Sequence, residues 1–447
     1  MKSKYLNTEA GFTLIEAVIT TAILMILLVG IWGLVSTIFK SNSEVRARVM
    51  ATALANERVE TVRNLPYDSL GTVGGIPNGT IPQTETRQIN GTIYTIKTAV
   101  NYVDDPFDNL APADLLNTDY KSVRVEVSWN MPLVNSRPVL MYTKAAPKGL
   151  EQPVAGGTLI IRVFDATPAP VAAATVHITD AAVSPAIDIT QNTDANGLLI
   201  FPGAPACDGC YRVTVTKAGY NTDRTYGTDE VSTPLNPHAT VIETDLTDIS
   251  FTIDRTAILT VTTQTPAPVA EDPPLALPDL NFNISGAKII GHNGAGNPVL
   301  KFNQDWSSGG SGTTNIEGLE WDSYTLSFDN VATGYDLAMS DPFTPPYDLI
   351  PGSHGDVVLL FEPHTANSLR VYVTDNNGVA LIAVAVQLVA GTFDQTKLTG
   401  APGQVFFSGL GALAYTLNVT LDGYEPYAST VDVLQTTFAP VSLNPLP

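Results

Sequence analysis

The stretch from Phe12 to Phe39 most constrains this chain: it is long enough to cross a bilayer and holds a single charged residue, Glu16. It follows Gly11 directly and reads Phe12-Thr13-Leu14-Ile15-Glu16-Ala17-Val18-Ile19 before running on through leucine, isoleucine and valine. A carboxylate near one end of such a helix is costly in hydrocarbon unless another group neutralises it. Glu16 is therefore a candidate functional residue on physical grounds alone. A secretory signal peptide fits poorly, because the acid opens the apolar run, the run exceeds a usual h-region, and no small-x-small site closes it. An ordinary single-pass anchor with an incidental acid is the alternative.

Gly11-Phe12-Thr13-Leu14-Ile15-Glu16, behind a short leader carrying Lys2 and Lys4, resembles the amino-terminal signature of type IV prepilins and pseudopilins. The resemblance implies that a prepilin peptidase cuts between Gly11 and Phe12 and methylates Phe12, leaving residues 1–11 as the leader. It also implies that Glu16 faces the Phe12 ammonium of a neighbouring pilin subunit once the chain leaves the inner membrane. Such a pair offsets much of the desolvation either ion would suffer alone. It also fixes axial stagger, since a slipped register strands both charges. Lys2 and Lys4 favour a cytoplasmic amino terminus, whereas Lys40, Arg46 and Arg48 beyond the span work against it. The orientation, with the head outside the cytoplasm, therefore rests partly on the resemblance.

Helical spacing continues past the span. Val45, Val49, Thr52, Ala55, Val59 and Val62 recur at three- and four-residue steps, with Arg48, Glu57, Arg58 and Arg63 mostly on other faces. Leu65-Pro66 stops the helix, giving a long pilin helix over 12–64 with its membrane span at 12–39. Gly30 and Gly33 soften its middle by about 1 kcal/mol each relative to Ala, or else allow close helix contact. Tyr67 to Gly91 reads as a turn-rich connector. Strands are expected over Thr92–Val100, over Ser122–Trp129 and from Pro138 to Lys144, so residues 65–147 form a small antiparallel head. Asp104, Asp105, Asp108, Asp114 and Asp119 cluster between the first two strands. Their irregular spacing suits a solvated loop better than a calcium site.

A linker over 148–157 precedes three units of related pattern. Unit one, 158–254, runs Leu159-Ile160-Ile161-Arg162-Val163, Thr193-Asp194-Ala195-Asn196-Gly197, Tyr211-Arg212-Val213 and Gly219-Tyr220. Unit three, 367–447, repeats the order with Leu369-Arg370-Val371, Gly400 to Gly403, Tyr415-Thr416-Leu417 and Gly423-Tyr424. Unit two, 255–362, keeps Ile258-Leu259-Thr260-Val261, Tyr324 and Gly334-Tyr335 around an insert from Pro266 to Gly312, and lacks the TDxxG turn. This order resembles the carboxypeptidase regulatory-like family, which implies seven-stranded β-sandwiches. Apolar alternation supplies two inner faces, and each unit's tyrosine can plug a sandwich end while its hydroxyl reaches backbone. The fold class is thus mixed but mostly β: a long helix with a small sheet, then about three tandem sandwiches.

A formal charge of −21 and the lack of a basic cluster exclude a nucleic-acid partner. The only cysteines, Cys207 and Cys210, read as a disulfide stapling a turn, with redox or metal chemistry as the alternatives. His177, His238, His292, His354 and His364 share no ligand spacing, and no hydrolase or phosphate-cradling motif occurs, so neither an enzyme nor a cofactor is expected. Phe302, Trp306, Trp321 and Tyr347 could make a sugar-stacking platform, though filling a core explains them better. Together these features describe a minor pilin or pseudopilin-like subunit that displays β-modules for surface contact. The alternative is a membrane-anchored adhesin or carbohydrate-binding protein that never polymerises.

Overall fold

The structure, a computed structural model, describes residues 14–447 except 108, 112, 115, 117, 131–136, 149–154, 268–272 and 344–345, and omits the side chains of 16 and 17. Helix α1 (Leu14–Arg63) is continuous through Gly30 and Gly33, about 75 Å long at 1.5 Å per residue. Gly11, Phe12 and Asp108 lie outside the described residues. The apolar side chains of the first half of α1 are exposed among the described residues, Leu24, Leu28, Trp32 and Phe39 included.

The second half packs on an antiparallel sheet ordered β1 (Thr84–Ile89), β2 (Thr92–Val103), β3 (Tyr120–Trp129) and β4 (Val139–Ala145). Strand β1 falls inside what the sequence reads as connector. Its Thr-Glu-Thr-Arg-Gln-Ile pattern carries little apolar signal because it is an edge strand. The buried stripe of α1 also differs from the expected one. Ala47, Ala51, Leu54, Ala55, Val59 and Val62 face the sheet, whereas Val45 and Val49 are 56% and 65% exposed. Alanines win these positions because a sheet can approach them closely. Arg58, expected on an outer face, is 8% exposed and pairs with Glu85 on β1. Lys121 on β3 is buried and donates to the carbonyls of Tyr67 and Leu70 at 2.7 and 2.8 Å, holding the connector to the sheet.

Three sandwich modules follow. In the first, β5 (Gly157–Phe164) pairs in parallel with Leu246–Thr252 and antiparallel with β8 (Leu198–Ala204). The facing sheet holds β6 (Thr175–Asp180), β7 (Ile187–Asn192) and β9 (Cys207–Thr216). The other two modules repeat the parallel pairing of first and last strands, Ala257–Thr265 with His354–Pro363 and Ser368–Asp375 with Thr436–Leu443. Seven strands, three facing four, make up the third module.

The middle module, doubtful from sequence, carries the same internal devices as its neighbours. Buried Tyr211, Tyr324 and Tyr415 donate their hydroxyls to the carbonyls of Pro205, Glu320 and Gly411. Thr193, Ser308 and Thr399 each place a buried hydroxyl between two backbone groups, donating to Val171, Leu277 and Leu381 and accepting from Ala174, Leu280 and Val384. Gly197, Gly312 and Gly403 all have positive φ, and an added Cβ would meet the carbonyls of Val163, Thr263 and Val373. Only glycine fits a left-handed residue pressed against a strand this way.

The middle module's insert is itself structured. Its hairpin, Ile289–His292 with Pro298–Leu300, extends a sheet that includes Thr233–Pro234 of the first module. Beside it Lys301 sits 3.3 Å from Asp223 and 2.8 Å from Glu320, and Lys288 also reaches Glu320 at 2.6 Å. At the next junction Gln404 exchanges two hydrogen bonds with the backbone of Ser340, and Phe343 stacks on Tyr372 with centroids 3.5 Å apart. The head meets module one through Gln191, which donates to Val100 O at 2.8 Å and to Asn101 Oδ1 at 2.7 Å.

Candidate functional site

Two places carry chemistry worth weighing. The first is the exposed half of α1. Glu16 falls within the helix, and the surrounding Leu14, Ile15, Val18 and Ile19 are open on every side among the described residues. The helix from Val18 onward is long and apolar enough to cross a membrane. Exposed Val45 and Val49 carry an apolar surface past the end of the span, beyond the head's own packing face.

The second is the end of module one where β6 and β9 meet. Cys207 and Cys210 are joined as a disulfide, with Gly209 at φ 62° turning the backbone between them. Asp180, the last residue of β6, is 1% exposed, and its Oδ2 lies 3.2 Å from Cys210 Sγ. Its Oδ1 accepts from Ala182 N at 2.7 Å. The Asp180 carboxylate and both sulfurs lie within 4.8 Å of one another. Burial, reinforced by the Asp180 charge, pushes the Tyr211 phenol up to about 12, and its hydroxyl is committed to Pro205 O. Sequence reasoning found the cysteine pair but not Asp180, which lies on another strand and has no spacing signal linking it to Cys207.

The acidic loop closes on itself. Asp105 accepts from Phe107 N, Asp114 from Leu116 N, Asp104 from Ala111 N, and Asp119 from Asp105 N. Burial, followed by the charges of Asp119 and Asp114, holds the Asp104 carboxyl above its ordinary value. The aromatic platform is not assembled. Tyr347 is buried, Phe302 packs edge-on against Tyr324, and Trp321 lies under the Lys288 ammonium. Trp306 lines an open cleft of about 910 Å³, with Asn281, Asn283, Asp305 and Asp329, and Trp321 lines a separate one of about 850 Å³. The histidines are dispersed: His177 pairs with Asp188, His354 with Asp356 and His364 with Asp336.

Residues 6–32 match the family model described as the prokaryotic N-terminal methylation motif. The chain thus opens with a prepilin-type start, which bears on the leader, Phe12 and Glu16 but covers a small part of its length. No curated protein matches the chain. Among solved structures, the Bacillus anthracis TIE protein is similar at 12% identity over 81% of this chain and 73% of that one, with a TM-score of 0.19. A streptococcal ancillary pilin matches at 12% identity over 65% and 99%, also at 0.19. BcpA, the major pilin subunit of Bacillus cereus, matches at 12% identity over 65% and 100%, at 0.17. Scores this low leave function to be argued from the amino terminus.

Proposed function

We propose that this chain is a pilin-type surface subunit, anchored in the inner membrane by α1 and then assembled through it into a type IV or type II-like filament. The observation that carries this reading is the methylation motif running directly into a helix whose first half is apolar and exposed among the described residues. In this reading a prepilin peptidase cuts after Gly11, Phe12 becomes the methylated terminus, and Glu16 pairs with the Phe12 ammonium of the next subunit. Three projecting modules would crowd repetitive lateral packing, which favours a minor or tip position. The modules then make surface or cell contact.

Mass spectrometry of the mature amino terminus from the native host tests the reading. A methylated Phe12 is the expected result, and an intact Met1 leader would overturn it. Glu16→Ala should insert normally yet fail to enter filaments; normal incorporation would remove the role given to Glu16. A second reading, a non-polymerising carbohydrate-binding adhesin, draws on the Trp306 cleft, whose carboxylates and amides suit the hydroxyls of an uncharged glycan. Glycan-array binding by filament-free chain, abolished by Trp306→Ala, would favour it.

A further inference from the structure

We propose that Cys207–Cys210 is a thiol–disulfide exchange site in which buried Asp180 favours the reduced state by accepting from the Cys210 thiol. Asp180 is 1% exposed, so water cannot satisfy its carboxylate freely. Oδ1 has the Ala182 amide, and the one hydrogen-bonding group at Oδ2 among the described residues is Cys210 Sγ at 3.2 Å. The nearby Tyr211 hydroxyl does not help, because it donates to Pro205 O. A sulfur in a disulfide has no proton to give. Oxidation therefore removes the only donor available to Oδ2 among the described residues, whereas the Cys210 thiol restores it. An unpaired buried carboxylate oxygen is costly, so the environment favours the reduced state.

The same contact defines a reaction. An external dithiol attacks with one thiolate at Cys207 Sγ, forming a mixed disulfide. The Cys207–Cys210 bond breaks with its electron pair on Cys210 Sγ, which is protonated by solvent and then donates to the Asp180 carboxylate. The second thiol of the reductant gives up its proton and attacks its own mixed-disulfide sulfur. Cys207 leaves as a thiolate and is protonated by solvent. Two electrons pass from the dithiol to the protein, and the reductant ends as a cyclic disulfide. In reverse, the Cys210 thiol gives its proton to solvent, losing its contact with Asp180 Oδ2, and this sulfur closes the bond. Exchange needs an accessible sulfur, and both cysteines are only partly buried.

The test uses the full chain equilibrated in dithiothreitol redox buffers without denaturant, then quenched, alkylated and weighed; with two cysteines in the sequence the readout is unambiguous. Asp180→Asn keeps the shape and an acceptor for Ala182 while removing the charge. Its disulfide should be about tenfold harder to reduce, a shift of about 30 mV for a two-electron couple. Equal reduction equilibria would overturn the proposal. Wild type decides independently of how well the variant folds: a native disulfide untouched by a large excess of dithiothreitol would overturn it too.

Discussion

Replacing Lys301 by methionine should undock the first two modules while leaving their cores intact. Lys301 joins Asp223 of module one to Glu320 of module two, and the three side chains are 20%, 19% and 13% exposed. Burial pulls the lysine pKa down, but the Asp223 and Glu320 carboxylates outweigh it and the net direction is up from 10.5. The pair therefore contributes fully below pH 10.5 and is lost as pH rises through the raised value. Breaking a fully buried pair costs about 3–5 kcal/mol, and an exposed pair is worth about 0–1. Glu320 keeps Lys288 after the substitution, and Asp223 keeps the amides of Arg224 and Thr252. The expected loss is thus about 2–3 kcal/mol, or roughly 30- to 150-fold in the docking equilibrium. Native-state hydrogen exchange reads it directly, because the Leu235 amide donates to Ile290 O across the junction at 3.0 Å. Leu235 should lose protection by that factor, while Val213, inside module one, should not change. Adding Asp223→Asn to Lys301→Met should recover part of the loss by removing a stranded charge. Unchanged protection at Leu235 would refute the reasoning.

Two further outcomes follow from the head and from module three. Burial pulls Lys121 down to about 8, so its resonance in a 13C titration should move with a midpoint near pH 8. Folding then releases a proton, and the Lys121 contribution to stability climbs between pH 8 and 10.5; a midpoint above 10 would count against this. Gly403→Ala forces a left-handed alanine whose Cβ lies 2.7 Å from Val373 O, and should cost about 3 kcal/mol in chemical unfolding. Gly378→Ala, with φ 80° but open space, should cost about 1–2 kcal/mol, so equal losses would contradict the packing argument.

The membrane-length helix, the β2–β4 strands and the outer two modules were legible because each rests on periodicity or on motif order. The buried register of α1 was not, since Ala47 and Ala51 carry weaker apolar signal than Val45 and Val49, and only the sheet decides which stripe it accepts. Arg58 was misplaced for a linked reason: its partner Glu85 lies on a strand whose polar sequence hid it. The middle module was obscured by substitution at conserved geometry, with Ser308 doing what Thr193 and Thr399 do, and by an insert that builds its own hairpin. At the candidate sites, Gly11, Phe12 and Glu16 are carried by a contiguous motif. Asp180 meets Cys210 only through the pairing of β6 with β9, which no local pattern announces.

The parallel ladder between the first and last strands of every module has a mechanical consequence. Tension along the chain enters module one at Gly157 and leaves at Thr252, the opposite ends of two adjacent strands that run the same way. Such a load shears all seven registered pairs together instead of peeling them one by one. The other two modules are loaded in the same geometry. Pulled from its tip, this molecule resists as three shear clamps in series, its lifetime under force set by an unfolding rate.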